Sequence, residues 1–449
     1  MGMGALLRNE WRVCTRSWLY LPYVLGLTLG LGLSGWLEIQ DCRRLRARAE
    51  QMRALQALPT QSIEPQDLYE SKEFLVFLSP DRCVPGSVLP DFHGMAVLIR
   101  PDGVPWLYQD PAAGETGLYR VSYTRALAVL GSCLGLLLGL GGVVLPRQAG
   151  ALKMVLGAGA SPDALWWSHW LARVGVALWG YLGAMTVGTV LVLIGSGEGG
   201  KALGPWLGTV LVGSVYVAVW VTIGMAISAW HRRWETALLT GLVIWSGLLW
   251  VVPRVAMTVA YGLTERPSEV VLLDDEKAAL NQTRLAIFRT TSQQTPPSCT
   301  PPDRPMTPAE QARRMQVCIE EMSRLAQQVE RERMGDYVDT LRRLYEDYVG
   351  RWGRWWTLAT WGAAVSPGFV WESLMGRWQG ASFSALQAHL FRLWAFQRRF
   401  LRAGNGSPPD VLTWSGEGSW PAGWFGGLLV HMVVWALVGW RTFRQAEWA

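Results

Sequence analysis

Leu203-Gly-Pro-Trp-Leu-Gly-Thr-Val-Leu-Val-Gly-Ser-Val-Tyr-Val-Ala-Val-Trp-Val-Thr-Ile-Gly-Met-Ala-Ile-Ser-Ala-Trp230 runs from end to end without a charged side chain. About 20 apolar residues cross the ~30 Å hydrocarbon core at ~1.5 Å per residue, so this stretch reads as a membrane span. Five more stretches read the same way: Ser17 to Leu37, Ser122 to Leu145, Val174 to Ile194, Thr236 to Val252 and Pro421 to Trp440. The fifth in chain order is interrupted by Pro253 and Arg254 before Val255 to Leu263 resumes. We read it as one kinked span with Arg254 near its outer end, because an unpaired arginine at mid-bilayer costs several kcal/mol.

Short flanking segments set the expected orientation. Arg8, Arg12 and Arg16 precede the first span, Arg147 and Lys153 follow the second, Arg232 and Arg233 follow the fourth, and Arg441 and Arg444 end the sixth. The one short loop on the other side, Gly195 to Ala202, has Lys201 against Glu198. Both termini are therefore expected in the cytoplasm. Residues 38–121 and 264–420 are expected outside as two modules, around a membrane region of 1–37, 122–263 and 421–449.

Cysteines fall in step with that plan. Cys42 and Cys83 share the first external segment and Cys299 and Cys318 the second, whereas Cys14 is cytoplasmic and Cys133 lies in a span. One disulfide per external segment is expected in an oxidising compartment; the alternative is four free thiols. Each bridge would close a loop of roughly 20 or 40 residues, adding about 3 to 4 kcal/mol in the chain-entropy model. Neither segment has Cys-x-x-Cys or clustered histidine, so no metal site is assigned.

Half of the residues are hydrophobic and 17% are charged, and the chain holds 27 tryptophans, whose rings favour the headgroup level. Trp166, Trp167 and Trp170, and Trp352, Trp355, Trp356 and Trp361, read as two interfacial belts. The net charge of +6 comes partly from arginines flanking the spans and gives no support to nucleic-acid binding.

The first external module opens with a basic helix, Cys42 to Leu58, continuing the first span. Phe74 to Leu78, then Met95 to Arg100, Pro101-Asp102-Gly103 and Val104 to Tyr108, alternate as strands with a hairpin, giving a small α/β domain. The second module is mainly helical. Thr307-Pro308-Ala309-Glu310 has the hydroxyl N-cap, first-turn proline and acid of a helix start. Met315, Ile319, Met322, Ala326 and Val329 then predict an apolar core-packing seam on a long helix extending toward Val349. The proline-rich Thr295 to Pro305 cannot be helical. Leu386, Leu390, Leu393 and Phe400 mark a further amphipathic helix before Ala403 to Pro409.

Gly195-Ser-Gly-Glu-Gly-Gly200-Lys201 has phosphate-loop spacing, but Ala202 replaces the magnesium-binding hydroxyl and no strand precedes it. His93, His169, His231, His389 and His431 adjoin no nucleophile motif, and no catalytic motif or intramembrane acid pair stands out. The chain is expected to be no enzyme and to carry no cofactor of its own.

Arg147-Gln-Ala-Gly-Ala-Leu-Lys-Met-Val-Leu156, followed by Gly157-Ala-Gly-Ala-Ser-Pro162, resembles the cytoplasmic segment of type-2 ABC transporter permeases. In that superfamily a short helix touches the partner ATPase. Leu6 to Trp18, with Glu10 and Trp11, resembles its amphipathic helix before the first span. Ser366-Pro367, then Gln387 to Arg402 with Phe391, Phe396 and Arg398-Arg399, is similar to the subset with a large extracytoplasmic domain between the last two spans. The family's acidic residues before the glycine are here Arg147, Gln148 and Ala149, and Asp163 stands near the position of its usual basic residue. The resemblance implies a coupling helix at 147–157, with Arg147, Gln148, Leu152, Lys153 and Leu156 as ATPase-contacting residues. It also implies a bacterial inner-membrane location, ATP and magnesium in a separate ATPase subunit dimer, and pairing of the permease as homodimer or heterodimer. The expected activity is export or extraction of an amphiphilic or peptide-like substrate. Mechanotransmission to a periplasmic partner, or a non-transporting sensor or scaffold, are the alternatives.

Overall fold

The computed structural model describes residues 3–57, 74–77, 79–80, 95–99, 106–109, 122–195, 199–264, 268–294, 296–300, 306–378, 413–414 and 422–446. Six helices in it are long and apolar enough to cross a membrane: Tyr20–Arg44, Tyr123–Gln148, Pro162–Gly195, Leu203–Trp230, Trp234–Leu263 and Ala422–Gln445. The protein is an α-helical membrane protein, and these are spans one to six.

Span four is the central helix. Its most apolar window is 83% buried, against 17% for spans five and six. The reason lies in glycines of span two at four-residue intervals, Gly131, Gly135 and Gly139. A methyl group on Gly139 would run into the Val221 carbonyl and lie 3.0 Å from the Met225 nitrogen, and one on Gly224 would lie 3.0 Å from the Leu140 nitrogen. The two backbones therefore touch, the close small-residue contact that replaces the hydrophobic effect where the solvent is lipid.

Both interrupted spans are held by side chains. Span two contains a π turn, Leu127–Gly131, where the Ala128 carbonyl accepts the Tyr216 hydroxyl at 2.8 Å and that of Ser132. Trp245 in span five donates to the Ser132 oxygen at 2.7 Å. Span five has its own π turn, Gly247–Val251, immediately before Pro253. Proline supplies no N–H and disturbs a helix, yet the span continues to Leu263 as the single crossing expected from sequence.

Span one continues as one helix from Tyr20 to Ala57, and Cys42 on it is disulfide-bonded. Cys83 lies outside the described residues. Strands Phe74–Phe77, Met95–Ile99 and Trp106–Gln109 pair antiparallel, with Val97 opposite both Val76 and Leu107. The Pro101-Asp102-Gly103 turn falls outside the described residues. Ser79–Pro80 pairs parallel with Thr413–Trp414.

Beyond span five two antiparallel helices, Glu269–Gln293 and Pro308–Ala363, form a stalk. The second has 56 residues, about 84 Å at 1.5 Å each. Its start is the capping box read from sequence. The Thr307 hydroxyl accepts the Glu310 N–H at 3.4 Å, and the Glu310 carboxylate accepts the Thr307 N–H at 3.0 Å. Cys299 and Cys318 are bridged, and Arg314 donates to the Ser298 and Thr300 carbonyls at 3.0 and 2.5 Å, tying the connector to the long helix.

The predicted apolar seam is displaced toward the membrane. Met315 and Ile319 are 63% and 62% exposed, whereas Val329, Met334, Tyr337, Val338 and Leu341 are buried. Tyr337 packs at the level of Ala279 and Leu280, so the partner helix, ending at Gln293, runs out near Ser323. The first turns of the long helix overhang it, and among the described residues no helix faces their apolar side chains.

The helix Pro367–Trp378, expected within the external module, packs among the spans. Val370, Trp371, Leu374 and Met375 are buried in the main core with residues of spans two and four, and the buried Phe369 packs on Trp424 of span six. Its N-cap is Ser366, whose hydroxyl accepts the Phe369 N–H at 3.2 Å. Trp378 lies by Pro205 at the start of span four and Gly368 by Leu249 and Tyr216, near its middle. The stalk helix thus dips between the spans, turns at residues 364–366 and returns outward as a re-entrant hairpin. The amphipathic segment around Leu386 to Phe400 and the run Ala403 to Pro409 lie outside the described residues.

Candidate functional site

At the face that carries both termini, span two stops being helical. Helix Ser132–Leu140 ends, residues 141–143 form a turn at this corner, and helix Val144–Gln148 follows. A corner of this kind frees backbone groups that lipid cannot satisfy. Spans three and four satisfy them. Arg173 donates to the Leu138 carbonyl at 3.0 Å and the Gly141 carbonyl at 3.1 Å. His169 Nδ1 contacts the Gly142 carbonyl at 3.0 Å. The Ser228 hydroxyl donates to the Leu140 carbonyl at 2.6 Å and accepts the N–H groups of Val143 and Val144 at 3.0 and 2.8 Å.

His169 also joins the N-terminal helix Met3–Thr15 to this corner, because its Nε2 lies 3.4 Å from a Glu10 carboxyl oxygen. A carbonyl can only accept, so Nδ1 carries a hydrogen. The contact on Nε2 then needs a second proton, on the ring or on the carboxyl. Cys14 on the same helix is buried, and burial pushes its thiol up to about 11. Trp11 packs so closely on span three that a methyl group on Gly175 would meet its ring at 2.8 Å.

Past the corner, Arg147 anchors the short helix by donating to the carbonyls of Ala229 and His231 at 3.2 and 2.8 Å. Gly150 turns the chain with a φ of 72°, and Gly159 does so again at 87°; both are left-handed values that favour glycine. Between them lies helix Ala151–Gly157. Leu152 is 2% exposed and packs with Leu6, Val143, Trp166, Met225 and Phe443. One core thus joins the N-terminal helix, the loop, spans three and four and the C-terminal end of span six.

The five residues singled out from sequence therefore divide. Gln148 and Lys153 are exposed, Leu156 is half-buried, Arg147 is anchored to the end of span four, and Leu152 faces the core. Met154, 70% exposed, is the largest apolar group this helix presents. Sequence reading missed Arg173, because it began span three at Val174; the helix runs from Pro162. It also assigned Trp166 to an interfacial belt, whereas that ring is fully buried against Phe443, with centroids 5.6 Å apart. The four-residue glycine spacing of span two was the available signal for the contact with span four. Asp163 accepts the Trp440 N–H at 2.9 Å, and no group of three or more metal-ligating side chains occurs among the described residues.

No family model matches the chain, and no curated protein or solved structure is similar to it.

Proposed function

We propose that this chain is the membrane subunit of an ATP-driven ABC transporter, with both termini in the cytoplasm of a bacterial inner membrane. ATP and magnesium are handled by a separate ATPase dimer, and the permease works with a second copy or a related permease. The observation that carries this reading is the helix Ala151–Gly157, which exposes Lys153 and Met154 while Leu152 roots it in the core. Arg147 and Ser228 tie the approach to that helix onto the end of span four. A push on the exposed side therefore reaches spans two and four as a rigid-body tilt. The outer segment 74–109 serves as a small α/β cap in this reading, and the cargo is an amphiphile or a peptide-like molecule.

Mechanotransmission is the second reading, favoured by a specific observation. A 56-residue stalk helix is far longer than a ~30 Å bilayer requires, and movement at its base is amplified along its length. In that reading the stalk acts on an external partner.

The test is copurification with an ATPase and stimulation of its activity in nanodiscs. Lys153→Glu and Met154→Asp should abolish both while leaving a folded chain. If the folded chain recruits no ATPase, or both variants retain full stimulation, the assignment falls.

A further inference from the structure

We infer that the re-entrant helix Pro367–Trp378 is the fastening that makes the stalk follow spans two and four. The long stalk helix leans on span five, where a methyl group on Gly362 would meet Ala256 Cβ at 3.0 Å. Its continuation meets span five again where Gly368 lies against Leu249, and it is also attached to the other spans. The Trp371 ring stacks on Tyr216 of span four with centroids 5.3 Å apart, and its N–H donates to the Thr124 carbonyl of span two at 3.0 Å. Trp378 donates to the Pro205 carbonyl at 3.2 Å, and its ring lies where Gly208 leaves room. His431 of span six contacts the Ala364 carbonyl, at the end of the stalk helix, at 2.9 Å.

These contacts are directional and centred on the fully buried Trp371 ring, whereas among the described residues Trp361 and Val365 beside the turn are 75% and 60% exposed. Lipid-facing apolar groups of that kind slide freely. Each N–H to carbonyl bond to a neighbouring span instead fixes one geometry, and breaking it in an apolar surrounding leaves both groups short of a partner. The stalk base is therefore held between two bodies. Span five supports it along one side, and spans two, four and six grip its re-entrant end. Tyr216 completes the grip, since its hydroxyl donates to Ala128 of span two on the same ring that Trp371 covers. A displacement of the span-two and span-four pair relative to span five has to swing the stalk. That last step rests on the proposed ATP-driven reading; the fastening itself does not.

The test is a spin-label distance measurement on the full chain in nanodiscs, with Cys14 and Cys133 replaced by alanine. Labels go at Arg343→Cys on the stalk and Leu207→Cys on span four, both exposed. A single narrow distance is expected, whose width at least doubles in Trp371→Ala and stays unchanged in Trp361→Ala. An unchanged width in Trp371→Ala would mean that packing on span five holds the stalk alone, which overturns the inference. If Trp371→Ala does not fold, Trp378→Phe, which loses only one bond, carries the same two outcomes with a smaller broadening. Adding the partner ATPase with a non-hydrolysable ATP analogue should shift the distance, and Trp371→Ala should lose the shift. A narrow distance unmoved by nucleotide would sink the ATP-driven swing and leave the fastening standing.

Discussion

The Ser228 hydroxyl donates to the Leu140 carbonyl at 2.6 Å, so span four closes the end of span two with a single side chain. The same oxygen accepts two N–H groups of the next helix. Removing it in Ser228→Ala leaves three backbone groups short of a partner at a buried corner. A loss of about 1–3 kcal/mol is expected, read as a lower apparent melting midpoint in detergent, with Ser228→Thr closer to wild type. A midpoint unchanged in Ser228→Ala would show that the corner is held by Arg173 and His169 alone.

Gly139 and Gly224 set how close spans two and four come. Gly139→Ala places a methyl group against the Val221 carbonyl, and because this neighbour is backbone, whole helices must part. Overpacking of about 1–3 kcal/mol is expected, with a greater loss for Gly139→Leu. Gly157→Ala, with nothing within 4 Å, is the control and should keep the wild-type midpoint in the same assay.

Leu152 and Met154 are two residues apart and should fail in opposite ways. Leu152→Ala removes a buried side chain from a core shared by five elements and should cost about 2–5 kcal/mol of stability. Met154→Asp should leave stability unchanged and remove ATPase stimulation. Thermal unfolding beside an ATPase assay separates them, and loss of stimulation at normal stability in Leu152→Ala would contradict its placement.

Thiol mapping tests the cysteine pattern. Under non-reducing conditions Cys42, Cys299 and Cys318 should resist alkylation, and the Cys42 peptide should be recovered joined to that of Cys83. Cys14 should also resist, for a different reason. Its thiol is buried and raised from 9.0 to about 11, so the neutral form is favoured by folding. That contribution is complete below pH 9 and is lost as pH rises toward 11, where Cys14 should begin to react. Rapid labelling of Cys14 at pH 8 in the folded chain would show that the N-terminal helix is not docked.

The sequence reached the helices and stopped at their neighbours. Apolar length alone defines six spans, Thr307 to Glu310 announces the stalk helix, and the Cys299–Cys318 bridge follows from two cysteines in one segment. Apolar length starts span three at Val174, one residue after Arg173, whereas the helix runs from Pro162. The Arg173 charge is tolerated inside because the broken end of span two offers it two carbonyls, a partner that no local pattern displays. His431 is similar: a lone ionisable group in an apolar stretch, explained once Ala364 lies beside it.

By itself, then, the chain's sequence determined which segments are apolar enough to sit in lipid and where the long stalk helix begins, but not the helices Glu269–Gln293 and Pro367–Trp378. The two it determined are local properties of hydrophobic length, caps and breakers. Only the tertiary structure decided that span four is central, that Leu152 turns inward while Met154 faces out, that Met315 and Ile319 overhang their partner, and that Pro367–Trp378 returns among the spans. The physical reason is that a helix in an apolar surrounding gains little from turning any one greasy face inward. Facing is settled instead by close backbone approach at glycines and by which freed carbonyl meets which donor, and both depend on residues far apart in the chain.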